Sequence, residues 1–150
     1  MPHALSKVYV HITFSTKKRY PFIDDSVSER LWEYLGGICK GMECHPVRVG
    51  GCADHVHILC LLSKKVLQVK LLEEVKKQSS KWIKTIDERY SNFYWQEGYG
   101  LFSVNPAEID IVVDYIANQK IHHQKRTFED EFLAFLKKYK VEYDERYIWD

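Results

Sequence analysis

From Ser6 to Ser15 the chain alternates, with Val8, Val10, Ile12 and Phe14 on one side and Tyr9, His11, Thr13 and Ser15 on the other. That period of two predicts a strand with one face on a core. After the basic turn Thr16-Lys17-Lys18-Arg19, closed by Pro21, the period changes: Val27, Leu31, Trp32, Leu35 and Ile38 recur at helical spacing. This predicts a helix over about residues 26–40, capped by Asp25 or Ser26 and weakened at its end by Gly36, Gly37 and Gly41. A second strand is expected from Cys44 to Cys52, and Gly50-Gly51 with Ala53-Asp54 reads as a break before a third, from His55 to Leu62. In that third strand Val56, Ile58, Cys60 and Leu62 share one face, while His55, His57, Leu59 and Leu61 share the other. The two leucines imply that the histidine face is also partly covered.

Val66 to Ile86 carries a long helical pattern with Leu72, Val75, Trp82, Ile83 and Ile86 on one side. A short strand is expected from Gly98 to Val104, and Asn105-Pro106 then opens a helix that runs to about His123. A last helix covers about Phe128 to Lys140, and the tail to Asp150 has no clear pattern. The order strand, helix, strand, strand, helix, strand predicts an α+β fold: a ferredoxin-like or RRM-like antiparallel sheet with helices on one face, followed by C-terminal helices. In such a sheet the first and third strands are central neighbours, which would set His11 near His55 and His57.

Length and composition agree with one domain over residues 1–150. Hydrophobic residues make up 45% and charged residues 29%, ordinary for a globular chain. No apolar run approaches the ~18 residues of a membrane span, and Met1 to Ser6 lacks the parts of a signal peptide, so the expected setting is the cytoplasm with no membrane partner. Cys39, Cys44, Cys52 and Cys60 form no Cys-x-x-Cys pair and read as reduced small hydrophobes. A zinc site built from Cys52, His55 and His57 fits no standard spacing.

The net charge is +1, yet its distribution is uneven. Seven lysines face two acids between Lys64 and Lys84, and residues 127–150 carry seven acids against four bases. On a helix, Lys70, Lys77, Lys81 and Lys84 fall within roughly 60° of one another, opposite the apolar side, so a polyanion is the expected contact there. Lys17 and Arg19 are further candidates.

Two motifs carry chemistry. His55-Val56-His57 puts two imidazoles on one face of a strand. On the helix that follows Pro106, Gln119 lies about 40° from Tyr115, beside the buried stripe rather than in its centre. Two nitrogen ligands, one oxygen ligand and a phenol suffice for metal-assisted cleavage of a phosphodiester.

These residues sit in a wider pattern: Tyr9-x-His11-x-x-Phe14-x-Thr16-Lys17-x-Arg19, Asp54-His55-Val56-His57, Lys76-x-x-Ser79-Ser80-x-Trp82-Ile83, Trp95-Gln96-x-Gly98-Tyr99-Gly100-x-Phe102-Ser103-Val104, and Tyr115-Ile116-x-Asn118-Gln119. In this order the five segments resemble the single-tyrosine HUH transposases of small bacterial insertion sequences, the TnpA proteins of the 200/605 group. The resemblance implies His55, His57 and Gln119 as ligands of Mg²⁺ or Mn²⁺, and Tyr115 as a nucleophile leaving a 5′-phosphotyrosine bond and a free 3′-OH, with no nucleotide cofactor. It further implies single-stranded DNA hairpins as substrate, and a homodimer in which one subunit's tyrosine helix completes the other's site. Two rivals are a domesticated relative that processes palindromes and a non-catalytic nucleic-acid binder. The latter is disfavoured because histidines, not stacking aromatics, occupy the outward positions of the third strand.

Overall fold

The computed structural model describes residues 5–150. Four strands, β1 (Tyr9–Ser15), β2 (His45–Cys52), β3 (His55–Leu61) and β4 (Gly100–Val104), form an antiparallel sheet in the order β2-β3-β1-β4. With α1 (Ser28–Gly41) and α2 (Gln68–Ile83) as crossovers, this is the βαββαβ arrangement the alternating and helical periods predict. Three helices follow: α3 (Ile109–Ala117), α4 (Gln119–His122) and α5 (Phe128–Lys138).

Period-two alternation sorts the central strands into two layers. Val10, Ile12, Phe14, Val56, Ile58 and Cys60 face α1 and α2, where Leu31, Leu35, Leu72, Val75 and Ile83 are buried against them. On the opposite side His11, Thr13, His55, His57 and Leu59 are also buried. There Leu59 and Val104 pack with Ile116 of α3, and Phe102 packs with Phe128, Phe132 and Leu136 of α5. The sheet is thus covered on both faces, the second by the C-terminal helices. Leu59 is fully buried at the floor of this second layer. Leu59→Ala is expected to cost about 2–5 kcal/mol, read as a lower midpoint in urea unfolding.

One row across the sheet positions these helices. Gly50 of β2 pairs with His57 of β3, His57 with Thr13 of β1, and Thr13 with Gly100 of β4. A Cβ on Gly50 would stand 2.9 Å from Ile116 Cγ2, and one on Gly100 would stand 2.8 Å from Phe132 Cε1. Both glycines therefore make room for α3 and α5 to descend on either side of the histidine.

Several local expectations shift. The Gly50-Gly51 pair lies inside β2 rather than breaking it, and the turn to β3 is Ala53-Asp54 alone. The first helix has Val27 at its N-cap with no side-chain cap; Asp24 instead accepts from the backbone N–H of Ser26 at 3.1 Å. Asn105 caps the segment after β4 by accepting from Ala107 N–H, with Pro106 directly following. The helix expected to reach His123 is divided at Asn118, whose backbone (φ −104°, ψ 22°) leaves helical values between α3 and α4.

Candidate active site

The hairpin from β2 to β3 delivers the two histidines. His55 and His57 stand on the same face of β3, and both are fully buried. Each has its Nδ1 engaged away from the centre. His55 Nδ1 lies 2.7 Å from Asp54 Oδ1, and His57 Nδ1 lies 2.7 Å from His11 Nε2 across the β1–β3 pair. Both rings thereby present Nε2 inward, with orientations fixed by neighbours on the strands. This is the support that metal-binding imidazoles characteristically have.

The third wall comes from α3 and α4. Gln119, 1% exposed, sets its Oε1 2.9 Å from His55 Nε2. The inward Nε2 atoms of His55 and His57 and the Gln119 Oε1 are nitrogen and oxygen donors gathered at one buried point, so the donor set fits a divalent ion. Tyr115 lies on the same wall, its ring 5.8 Å from that of His57 and stacked on His122 at 4.8 Å. The four residues selected by motif, His55, His57, Tyr115 and Gln119, converge within one chain.

Two further residues enter that the sequence reading left out. Glu131 of α5, 2% exposed, reaches the centre: Oε1 accepts from His57 Nε2 at 2.8 Å, and Oε2 lies 3.1 Å from His123 Nε2. Oε2 also accepts from Gln119 Nε2 at 3.2 Å and from the Tyr115 hydroxyl. The signal was available, because Phe128, Glu131, Phe132, Phe135 and Leu136 share the i, i+3, i+4, i+7, i+8 stripe of α5. An acid inside an apolar stripe marks a buried carboxylate with partners.

The electrostatics follow from this packing. Burial alone would raise the Glu131 carboxyl, but hydrogen bonds from His123 and His57 hold it well below the usual carboxylate range. Burial, followed by the Glu131 charge and its hydrogen bond, pushes the Tyr115 phenol well above its ordinary value. Burial lowers both His11 and His57. For His123 burial acts downward, yet its hydrogen bond to Glu131 prevails and raises it.

The candidate DNA contacts lie elsewhere. Lys17 and Arg19 line a cleft of about 400 Å³ with Tyr94, Gln96 and Trp149. Arg19 donates to the Trp149 carbonyl at 3.0 Å, and its guanidinium lies over that indole. On α2, Lys70 and Lys77 are exposed but reach Glu74, at 3.8 and 3.5 Å. Lys81 is exposed, and Lys84 sits 4.3 Å over the Tyr94 ring. Lys76, outside the stripe, turns inward to donate to the carbonyls of Gln96, Glu97 and Gly98. Burial lowers its pKa to about 8.

An antiparallel βαββαβ sheet carrying paired strand histidines beneath a tyrosine-bearing helix defines the class of single-tyrosine HUH transposases. The family model described as "Transposase IS200 like" matches residues 4–119, and the chain belongs to that family. A protein of Deinococcus radiodurans R1, solved as a candidate transposase, shares the fold with a TM-score of 0.63 at 19% identity, over 79% of this chain and 95% of that one. A REP-associated tyrosine transposase, solved bound to a REP hairpin, is similar with a TM-score of 0.60 at 15% identity, over 82% of this chain and 72% of that one. Among curated proteins none matches the chain. His123 and Glu131 lie beyond the matched segment. Among the described residues no helix is long and apolar enough to cross a membrane.

Proposed function

We propose that this IS200-like transposase cleaves and rejoins single-stranded DNA at hairpin-bearing insertion-sequence ends, with Tyr115 as nucleophile and His55, His57 and Gln119 holding Mg²⁺ or Mn²⁺. The observation that carries the reading is the convergence of the Tyr115 hydroxyl, two inward Nε2 atoms and the Gln119 amide at one buried point. A divalent ion bound there would supply Lewis-acid polarisation of the scissile phosphate. Tyr115 oxygen attacks phosphorus, the bond to the 3′ oxygen breaks, and a 5′-phosphotyrosine ester and a free 3′-OH result. The hydrogen bond to Glu131 Oε2 orients the Tyr115 hydroxyl; the proton it releases on attack is balanced by one taken up from solvent at the departing 3′ oxygen. Because one phosphodiester replaces another, attack by a second 3′-OH reverses the step and joins strands without a nucleotide cofactor.

Lys17, Arg19, Lys70, Lys77, Lys81 and Lys84 belong to the same proposal as backbone contacts. The REP hairpin held by the structural neighbour supports hairpin DNA as the substrate. The homodimer with composite active sites, acting in the cytoplasm, belongs to the same proposal, and the single chain already holds Tyr115 beside its own histidines.

The test uses labelled single-stranded DNA carrying hairpins from the sequence flanking the gene. With Mn²⁺ or Mg²⁺ a covalent protein–DNA adduct is expected on a denaturing gel, and chelation by EDTA is expected to remove it. Adducts of equal yield in EDTA would overturn the metal-assisted reading.

A further inference from the structure

We infer that Glu131, carried in by α5, is itself a ligand of the divalent cation, so that the metal centre is a two-histidine, one-carboxylate set with Gln119 beside it. This rests on the metal-assisted reading above and specifies which atoms bind. Glu131 Oε1 lies 2.8 Å from His57 Nε2 and 3.6 Å from His55 Nε2. Donors held ~2.0–2.2 Å from one ion stand roughly 3.0–3.4 Å apart in octahedral or tetrahedral arrangement, close to the spacing seen here. The group His55, His57, His123 and Glu131 has all its ligand atoms within 4.8 Å of one another.

A purely structural role explains this placement less well. The carboxylate sits in the same helix stripe as Phe128, Phe132 and Phe135, so taking it out of water is costly, and a well-packed apolar residue there would usually hold α5 at least as firmly. Its partners are instead the groups the proposed chemistry uses: both histidine Nε2 atoms, the Gln119 amide and the Tyr115 hydroxyl. The two carboxylate oxygens divide the work. Oε1 faces the histidine pair, while Oε2 faces Tyr115 and is held by His123. Charge matters as well as position, because an anionic ligand binds a dication more strongly than the neutral amide of Gln119 does. Two imidazoles and a carboxylate also suit Mn²⁺ better than Mg²⁺, which prefers all-oxygen surroundings.

The experiment is a calorimetric titration of the full chain with Mn²⁺ in the absence of DNA, repeated for Glu131→Gln, Glu131→Asp and Gln119→Ala, with melting curves for each. Glu131→Gln is expected to weaken Mn²⁺ binding by about 10–100-fold, and Gln119→Ala by less. Glu131→Asp, which keeps the charge on a shorter arm, is expected to fall between wild type and Glu131→Gln. Mn²⁺ affinity unchanged or improved in Glu131→Gln would overturn the inference and leave Glu131 as a hydrogen-bond acceptor that occupies the site in the ion's place. If Glu131→Gln does not fold, Glu131→Asp decides, wild-type affinity overturning the inference and weakened binding supporting it. Wild-type protein that forms Mn²⁺-dependent adducts while Glu131→Gln binds Mn²⁺ normally would sink this inference alone. Wild-type protein that binds no Mn²⁺ would sink the metal-assisted reading with it.

Discussion

Tyr115→Phe is expected to yield no covalent protein–DNA adduct under conditions in which the wild-type chain accumulates one. The substitution removes one oxygen and leaves the ring that stacks on His122 and meets Phe135 edge-on. It takes away the hydroxyl that donates to Glu131, so a stability loss of about 1–3 kcal/mol should accompany the chemical loss. The two effects separate by experiment. Circular dichroism and binding of hairpin DNA should persist, while the adduct band disappears. An adduct that survives in the variant would assign the nucleophile to another residue, and peptide mapping would identify it.

Gly50→Val is the second large effect. Any Cβ at this position meets Ile116 Cγ2 at 2.9 Å and the Ile116 carbonyl at 3.1 Å, so α3 must move away from β2. Overpacking of this kind costs about 1–3 kcal/mol. The catalytic consequence is larger, because Tyr115 is the residue before Ile116, and a misplacement of about 1 Å at a reacting group can cost roughly a hundredfold in rate. Single-turnover adduct formation should therefore fall by about that factor while a folded protein remains. Gly37→Ala is the matched control: Gly37 is exposed in α1 with nothing within 4 Å of an added Cβ, and its rate should be unchanged. Equal rates in the two variants would show that α3 does not depend on the Gly50 contact.

Much of this architecture was legible because its signals are local. Alternation in β1 and β3 assigned each residue to a face, and the strand order then placed His11 beside His57, as the 2.7 Å contact between them shows. Tyr115 and Gln119 could be related to each other by helical angle alone. Glu131 was different, since nothing in the spacing of α5 says which sheet position it will oppose. That depends on Gly50 and Gly100 being bare at the two ends of one row, a relation visible only once β2 and β4 are laid against their partners. In the sequence Gly50 instead reads as a break, because glycine in a strand marks either a turn or a close approach, and the sequence alone does not distinguish them. The lysines of α2 show the opposite limit. Their shared side is a matter of periodicity, whereas the hold of Glu74 on Lys70 and Lys77 depends on side-chain conformations that periodicity does not specify.

The two-residue link at Ala53-Asp54 leaves no slack between β2 and β3. Inserting a single amino acid there and letting β3 slide by one position would turn the molecule inside out at its centre: Val56 and Ile58 would point at the tyrosine, and both imidazoles would be driven into the oily layer beneath α1 and α2. Deletions and insertions at this link should therefore be tolerated far less well than on the exposed segment between α4 and α5, even though both are short surface connections.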